Sequence, residues 1–389
     1  MVSSESSKMR ELSHLRLIIL LTVALNTLDL KMDQRGQHHL NKFQEDLSYC
    51  PACFQTQAEP CRILMEAVVA DTDQAPIWQN FLNLLPQRSC KRNNQLYGLK
   101  GTTTTRVMVK YFGNSKEYLN WTLNSKELKR TFLDTERLDG MQFYPAKKIE
   151  NFVRFLGEFH KDLPPLAMWL YLLVNIQPLI MPLLYTLGFQ VPETYGVCGF
   201  TIYQEYAGQD LYHFYNKEFL VKLKIAKHLL EACVKFSHGF DDYRLYITDL
   251  TADNVVYNVA NDRLDFVDLD TLLVVSAKEA KYKSSTHRHE YIECPGCFAY
   301  SPDDIAAHNI SDLNIYSACQ FLSEDLYRDK TKGFLYPIPK DVNEKYPKLG
   351  KTLQRCVDCP RENCWERFSV AKELLKLIED VLLDIENKT

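Results

Sequence analysis

Alternating hydrophobic and polar residues predict the first strands of the chain. LYGLKGTTTTRVMVKYF, at residues 96–112, has the pattern of strand, turn and strand, and the alternation is clearest in TRVMVKYF. VCGFTIYQEYAG predicts a further strand that ends at Gly208. Between them, residues 114–162 are mostly charged and have a helical period, and KKIENFVRFLGEFHK is their clearest amphipathic segment.

The most hydrophobic segment, LPPLAMWLYLLVNIQPLIMPLLYTLGF, runs from Leu163 to Phe189. Its hydropathy is that of a membrane span, but four prolines interrupt it, with Asn175 and Gln177 between them. Proline breaks helices, and a bilayer leaves freed backbone groups unsatisfied, so a continuous transmembrane helix is disfavoured. We expect a buried helix followed by a buried strand, and no membrane span in the mature chain.

Helical periodicity dominates the second half of the chain. Apolar residues recur on one face of a long helix predicted at Glu218–His238. A loop and a β-hairpin ending in LDFVDLDTLLVV follow, and two further helices are predicted in DLNIYSACQFLSEDL and WERFSVAKELLKLIEDVLLDI. This order predicts an α+β, two-lobed fold, with a β-rich lobe at 95–206 and a mainly helical lobe at 207–389.

The first 29 residues have the build of a secretory signal peptide. KMRELSHLR supplies positive charge, and the apolar stretch Leu17–Leu25 is too short to span a bilayer comfortably. No clean small-residue cleavage site follows, so an uncleaved type II anchor is the alternative. Residues 30–94 are predicted to form a cysteine-bearing arm, which is polar and extended over residues 31–62 and is joined to the main body by disulfides.

Composition permits a large core and argues against a nucleic-acid partner. The 389 residues are 46 % hydrophobic, and the net charge is −4. No block of Lys and Arg is long enough to follow a phosphate backbone. We therefore expect a globular protein that does not bind nucleic acid.

Twelve clustered cysteines indicate disulfide bonds formed in an oxidising compartment. Three C-x-x-C pairs, CPAC, CPGC and CVDC, leave zinc binding and redox chemistry as alternatives. The pairs lie too far apart for a local zinc site, and none follows a strand and begins a helix, so structural disulfides to other cysteines are favoured. The predicted disulfide cysteines are Cys50, Cys53, Cys61, Cys90, Cys198, Cys233, Cys294, Cys297, Cys319, Cys356, Cys359 and Cys364.

Glycosylation sequons are consistent with the same compartment. Asn120 and Asn309 become glycan acceptors if the chain enters the lumen of the endoplasmic reticulum. A third sequon, at Asn387, is the least favourable because it lies at the extreme C-terminus. We expect the protein in the lumen of the endoplasmic reticulum and Golgi and in the secreted fraction.

Acidic and amide side chains cluster in YITDLTADNVVYN and in the hairpin after it. Asp249 follows the long helix, Asn254 stands five positions later, and Asp268 ends the hairpin strand in FVDLD. Their oxygens are hard ligands suited to Mg²⁺, which completes its shell with phosphates and waters. A turn or cap residue is the alternative for each of them alone. Together, and in this order, they predict a cation and phosphate site.

In their order these residues resemble the catalytic segments of protein kinases. The chain is similar to the divergent protein kinase domain family of secretory-pathway proteins, and closest to its second branch. The resemblance rests on CPACF, VMVKYFG, LYITDLTADNVVYN, VDLDTLLVV, DLNIYSACQFL and RFSVAKEL, which spread from about residue 50 to the C-terminus. It implies a protein-kinase-like bilobal fold with a β-rich N-lobe and a mainly helical C-lobe.

The resemblance also implies roles for individual residues. Asp249 would orient the acceptor hydroxyl, Asn254 and Asp268 would bind the metal, and Lys110 would contact the nucleotide phosphates. The implied cofactors are ATP and Mg²⁺, or Mn²⁺ in its place. Asp312 in SDLNIYSAC matches the buried aspartate that anchors the catalytic loop, and a helix N-cap is the alternative.

Several positions depart from the general kinase pattern. Ile247 and Thr248 replace His-Arg, and Leu269 and Asp270 replace Phe-Gly. For Asp270 a turn residue is favoured over a further metal ligand. These departures weaken the expectation of catalysis more than the expectation of the fold.

The sequence contains few of the glycines expected in the phosphate loop and no glutamate at the position expected in helix C. Only Gly98 and Gly101 remain of the glycine-rich loop that would cradle phosphate. The glutamate expected to pair with the phosphate-contacting lysine falls near Ala167, where no glutamate is present. Glu117 is the preferred substitute and Glu158 the other.

Three classes of function follow as hypotheses. The first is an ATP- and Mg²⁺-dependent luminal kinase, and the second is a secreted pseudokinase that acts as a signalling ligand or scaffold. The third is cysteine-based redox or zinc chemistry, which requires free thiols. The expected partners are a nucleotide and an unidentified protein acceptor or receptor.

Overall fold

A computed structural model describes residues 40–72, 95–98, 106–113, 124–134, 140–290, 300–325, 329, 332–358 and 366–387. The chain divides into two compact units. The first takes residues 1–88, 92–119 and 196–203, and the second takes 89–91, 120–195 and 204–389. The predicted lobe boundary at residue 206 stays a prediction. Several predicted features lie outside the described residues, namely the signal peptide, Cys90, Gly101, Glu117, Asn120, Cys294, Cys297, Cys359 and Cys364.

The first unit begins with three helices: α1 (40–49), α2 (Pro51–Phe54) and α3 (Ala58–Thr72). The extended conformation predicted for residues 31–62 is therefore wrong in the part that is described. Phe43 in α1 and Met65 in α3 are buried, but so are the polar residues Asp46 in α1 and Gln57 just before α3. These polar residues hide the apolar period that would have indicated helix.

A four-stranded sheet follows, in the order β1-β2-β5-β4. Its strands are β1 (Gln95–Gly98), β2 (Arg106–Tyr111), β4 (Thr194–Cys198) and β5 (Thr201–Glu205). β1 and β2 pair antiparallel, with Gln95 opposite Val109, which confirms the two predicted strands. VCGFTIYQEYAG forms a turn and two strands instead of one strand, because Gly199 adopts φ +58° and lets the chain reverse.

Two buried polar side chains hold the turn between β4 and β5. The Oδ2 atom of Asp46 accepts a hydrogen bond from the backbone N–H of Phe200 at 3.0 Å. The Oε1 atom of Gln57 accepts one from the backbone N–H of Gly199 at 2.9 Å. Buried backbone donors need such partners, so α1 and the segment before α3 are part of this unit's core.

The described helices of the second unit are α4 (Ser125–Asp134), α5 (Ile149–Phe159), α6 (Pro165–Val174), α7 (Gln177–Thr186), α8 (Phe219–His238), α9 (Pro302–Ala307), α10 (Leu313–Ser323), α11 (Lys340–Lys345), α12 (Lys348–Val357) and α13 (Arg367–Glu386). Four of them confirm predicted helices. KKIENFVRFLGEFHK contains α5, and the long helix predicted from Glu218 is α8, with Glu218 as its N-cap. The two C-terminal helical patterns form α10 and α13.

The hydrophobic segment Leu163–Phe189 forms α6 and α7, which are bent against each other by 99°. The strand predicted for its second part is wrong. Pro178 falls in the first turn of α7, where a helix tolerates proline, and the leucines that follow are helix formers. Within the described ranges, no single helix is long and apolar enough to cross a membrane; α6 and α7 pass that test only as a bent pair.

The strands of the second unit position its loops. One sheet has the order β3-β10-β7, another has the order β6-β8-β9, and β11 pairs with β12. β7 and β10 are antiparallel, with Tyr246 at the end of β7 opposite Leu273 at the start of β10. The loop after β7 and the loop before β10 therefore lie at the same end of these two strands. β8 and β9 form the predicted hairpin. The strands are β3 (Gln142–Tyr144), β6 (Gln209–Asp210), β7 (Tyr243–Tyr246), β8 (Val255–Asn258), β9 (Arg263–Phe266), β10 (Leu273–Ser276), β11 (Tyr282–His287) and β12 (His308–Ser311).

Three disulfide bonds join described cysteines: Cys50–Cys53, Cys61–Cys198 and Cys319–Cys356. The first closes inside the CPAC motif, and so corrects the expected bonding of that pair to other cysteines. One helical turn in α2 brings these two cysteines together. Cys233 was predicted to form a disulfide but is a free thiol, fully buried on the apolar face of α8. Burial raises the pKa of this thiol, so it is unreactive while the protein is folded.

Candidate functional site

The predicted catalytic loop lies between β7 and β8, and Asn254 closes it onto Asp249. The Nδ2 atom of Asn254 donates to the carboxylate Oδ2 of Asp249 at 2.8 Å and to the backbone carbonyl of Asp249 at 3.1 Å. The side chain of Asp249 is exposed, and Asn254 is half-buried. The spacing of five residues therefore brings the two predicted functional groups into direct contact.

Asn314, at the start of α10, fixes the base of this loop. Its Oδ1 atom accepts from the backbone N–H of Ile247, and its Nδ2 atom donates to the carbonyl of Leu245, each at 2.8 Å. Nδ2 also donates to the hydroxyl of Ser237 at 3.1 Å. The side chain is fully buried, so these bonds are shielded from water. Asn314 was not predicted as a site residue; the available signal was a polar side chain inside an apolar helical pattern.

Two further hydrogen bonds join this loop to the segment that carries Asp268. The hydroxyl of Thr248 donates to the carbonyl of Thr271 at 2.7 Å. The backbone N–H of Val267 donates to the carbonyl of Asn254 at 2.9 Å. Thr248, which replaces the arginine of the general kinase pattern, thus joins the two loops by a hydrogen bond at the shared end of β7 and β10.

Asp268 lies two residues after β9 and contacts α7. Its Oδ1 atom accepts a hydrogen bond of 2.6 Å from the side-chain Nε2 of Gln177. Asp268 is half-buried, whereas Gln177 is 3 % exposed. Gln177, like Asn314, was not predicted as a site residue. In the sequence it stands out only as a polar interruption of an apolar segment.

The remaining nucleotide-site predictions fall on separate elements. Lys110 is half-buried in β2 of the first unit, on the face opposite the fully buried Val107 and Val109. Gly98 ends β1. In the second unit Ala167 is buried in α6, and Glu158 is exposed on α5. The glutamate partner of Lys110 therefore stays without an assignment.

Asp312 precedes α10 and forms a buried ion pair with Arg367. Its Oδ2 atom lies 2.5 Å from the guanidinium of Arg367, and its Oδ1 atom accepts from the backbone N–H of His289 at 2.7 Å. The carboxylate does not cap α10, although Asp312 occupies the N-cap position. Burial raises the pKa of Asp312, and the positive charge of Arg367 opposes that shift. The Asp312 carboxylate thus fixes the region of β11 and α13, while Asn314 contacts the catalytic loop directly.

The donors at this site suit a hard cation but do not form a complete cage. Across the described ranges, no group of three or more His, Cys, Asp or Glu side chains is arranged to hold a metal ion. Asn254 and Asp268 supply one amide and one carboxylate, and Mg²⁺ in nucleotide sites commonly takes one or two carboxylates together with phosphates and waters. The buried Oε1 atom of Gln177, close to Asp268, has no hydrogen-bond partner among the described residues, so an acceptor remains for a bound group.

The second unit also contains a cavity of about 780 Å³ beside the start of α8. Lys222 lines it and donates to the carbonyls of Tyr215 and Tyr336, at 3.4 and 3.2 Å. The ammonium group also lies 5.6 Å from the centre of the Phe334 ring. Burial lowers the pKa of Lys222. Carbonyls and a ring face thus account for this lysine without a ligand.

Comparisons with known proteins identify the family. Residues 168–359 match the family model described as the protein-kinase domain of FAM69. Residues 168–359 thus belong to a divergent protein-kinase-like domain. Divergent protein kinase domain 2A of Xenopus tropicalis, of Homo sapiens and of Mus musculus is in each case 24 % identical over 230 residues. That alignment covers 57 % of the chain and 53 % of each relative, so the chain spans about half the length of these curated relatives.

The match confirms the family predicted from the motifs and, with the observed strands and helices, the α+β kinase-like fold class. The matched part of this divergent kinase begins inside α6 and ends just after α12. It includes Asp249, Asn254, Asp268 and Asp312, whereas Lys110 lies before it. The chemistry of the second unit can therefore be discussed as that of a kinase-like domain.

Proposed function

We propose that this divergent kinase binds ATP with Mg²⁺ or Mn²⁺ and transfers phosphate to a luminal or extracellular acceptor. The observation that carries the proposal is the contact of Asn254 with Asp249 in a loop that buried Asn314 holds in place. An acidic turn of purely structural origin needs neither an amide at this spacing nor a buried anchor below it. The hard donors at Asn254 and Asp268 support cation binding.

The chemistry would divide among the residues as follows. Asp249 would accept the proton of the acceptor hydroxyl as the oxygen–phosphorus bond forms and the bond to the leaving ADP breaks. Asn254 and Asp268 would hold the cation, which supplies positive charge for the phosphate oxygens. The resemblance assigns the phosphate contact to Lys110. The departures at Ile247 and Thr248 lie beside Asp249 and leave these groups in place.

Nucleotide binding is tested by thermal shift with ATP and Mg²⁺ or Mn²⁺. The wild-type chain should be stabilised by mass action, and Asp268→Asn should lose most of the shift. Asp303→Asn, an exposed carboxylate on α9, is the matched control and should keep it. Equal shifts for wild type and Asp268→Asn would remove the assignment. Phosphate incorporation from labelled ATP, absent in Asp249→Asn, then tests transfer.

A secreted pseudokinase that acts as a signalling ligand or scaffold is the second candidate. The departures from the general kinase pattern at Ile247, Thr248 and Asp270 favour it. Nucleotide-dependent stabilisation without phosphate transfer would favour the pseudokinase over the active kinase.

The three disulfides support folding in an oxidising compartment, and hence a luminal or secreted location for either function.

A further inference from the structure

The side-chain amide of Gln177 forms a hydrogen bond through its nitrogen but none through its oxygen among the described residues. Nε2 donates to Asp268 at 2.6 Å, while Oε1 has no hydrogen-bond partner among the described residues although the side chain is 97 % buried. Burying an acceptor without a hydrogen-bond partner costs free energy, and such groups are rare in folded proteins. A bound ligand that donates to Oε1 would remove this cost.

The backbone around Gln177 is fixed before any ligand binds. The Oδ1 atom of buried Asn175 accepts from the backbone N–H of Gln177 at 2.9 Å, across the bend between α6 and α7. Pro178 follows directly, with a restricted φ angle. The backbone that carries this amide group is therefore fixed by local structure and does not depend on a ligand for its position.

We propose that Gln177 is a positioning residue for the divalent cation held by Asp268. Its amide N–H orients the carboxylate, and its amide oxygen accepts a hydrogen bond from a water molecule bound to that cation. The inference rests on the proposed function, since it assumes that Asp268 is a metal ligand. Mg²⁺ and Mn²⁺ retain several waters in nucleotide sites, and second-shell groups that hold ligands and waters tune metal affinity.

An amide meets both requirements, whereas glutamate does not. An amide donates to Asp268 through its nitrogen and accepts from water through its oxygen, whereas an ionised carboxylate can only accept. A glutamate at position 177 would bring a second carboxylate against Asp268, and two adjacent carboxylates resist double ionisation. The neutral side chain at the start of α7 therefore suits the carboxylate that it contacts.

Mn²⁺ binding to the purified full chain, measured by electron paramagnetic resonance at pH 7 without nucleotide, tests the inference. Gln177→Met removes both hydrogen-bonding atoms and keeps the volume; we expect Mn²⁺ affinity to fall by about 10- to 100-fold. Gln209→Met, at an exposed position on β6, should bind as wild type does. The number of Mn²⁺-bound waters should be the same in Gln177→Met and wild type at saturation.

The outcomes separate this inference from the proposed function. If Asp268→Asn binds Mn²⁺ as wild type does, the proposed cation site itself is wrong. If Asp268→Asn loses binding but Gln177→Met binds within twofold of wild type, only the role of Gln177 is wrong. One additional Mn²⁺-bound water in Gln177→Met would make Gln177 a direct ligand and overturn the second-shell role.

A second variant guards against loss of folding in Gln177→Met. Gln177→Glu without metal should lose stability relative to wild type as the pH rises from 5 to 7. The reason is that a carboxyl with a raised folded-state pKa contributes stability below its unfolded pKa and loses it as the pH rises. A pH dependence identical to that of wild type would show that residue 177 does not contact Asp268 in solution.

Discussion

At the scale of single residues, amide side chains organise the site around its acids. Asp249, Asn254 and Asp268 stand out in the sequence because of their spacing and the helix and hairpin that flank them, and their catalytic and metal-binding roles stay predictions. Gln177 and Asn314 could not be identified in this way, because their importance comes from partners 91 and 67 residues away. A polar residue in an apolar pattern shows that a partner is needed, but not which partner it is.

Replacing Asn314 with leucine should destabilise the fold strongly. Leucine has a similar shape but leaves the N–H of Ile247 and the carbonyl of Leu245 buried without partners, at about 1–3 kcal/mol for each group. We expect a loss of about 2–5 kcal/mol in the free energy of unfolding, measured by urea denaturation. Asn343→Leu, exposed on α11, should change it by less than about 0.5 kcal/mol. Equal effects would contradict the anchoring role.

Acid should weaken the protein through buried His289. Burial, reinforced by the charge of Arg367, lowers the pKa of His289 to about 3. Its stabilising contribution is therefore complete above the unfolded pKa of 6.5 and is lost as the pH falls toward 3, by about 2 kcal/mol between pH 6.5 and 5. Urea denaturation at pH 7 and pH 5 should show a smaller acid loss in His289→Phe, which keeps a ring against Tyr316. His213→Phe, at an exposed position, should keep the wild-type loss; the same loss in His289→Phe would refute the assignment.

At the scale of elements, sequence patterns succeeded where one face of a helix or strand is consistently apolar. α5 and α8 were predicted for that reason. α7 was mistaken for a strand because it is apolar on nearly all sides and therefore lacks a helical period. The helices at 40–72 were missed for the opposite reason, since polar residues are buried on their inner face.

The ion pair between Asp312 and Arg367 joins the start of α10 to the start of α13. Arg367→Met would leave the Asp312 carboxylate buried without its charge partner, and we expect a cost of about 3–5 kcal/mol in unfolding free energy. Arg355→Met breaks an exposed pair with Glu373 between α12 and α13 and should cost less than about 1 kcal/mol. Chemical denaturation of both variants provides the comparison. Similar costs would mean that burial does not determine the strength of the Asp312 pair.

At the scale of the whole molecule, the sequence predicted that disulfide bonds form but not which cysteines they join. An even, clustered set of cysteines indicated disulfides, yet Cys61 and Cys198 are 137 residues apart and only the folded chain brings them together. The free thiol of Cys233 could not be predicted either, because the sequence does not distinguish a buried free cysteine from a disulfide-bonded one. The family and fold class were predictable, since ordered motifs survive when the residues around them change.

The Cys319–Cys356 bond should stabilise the chain by restricting its unfolded state. Its loop of 37 residues corresponds to about 4 kcal/mol, which the Cys319→Ala/Cys356→Ala variant should lose in urea denaturation without reductant. Cys233→Ala closes no loop and should cost about 1 kcal/mol. In the native chain, Cys233 should resist alkylation until denaturant is added. Its modification under native conditions would contradict its burial.

The buried position of Arg367 has a consequence for cutting the protein into pieces. The kinase-domain match ends at residue 359, eight residues before this arginine. A fragment expressed with those limits would contain Asp312 in its interior and lack the guanidinium that neutralises it. Such a fragment should be recovered mainly as aggregate, whereas one extended through α13 regains the missing charge. The limits of sequence similarity are thus narrower here than the limits of autonomous folding.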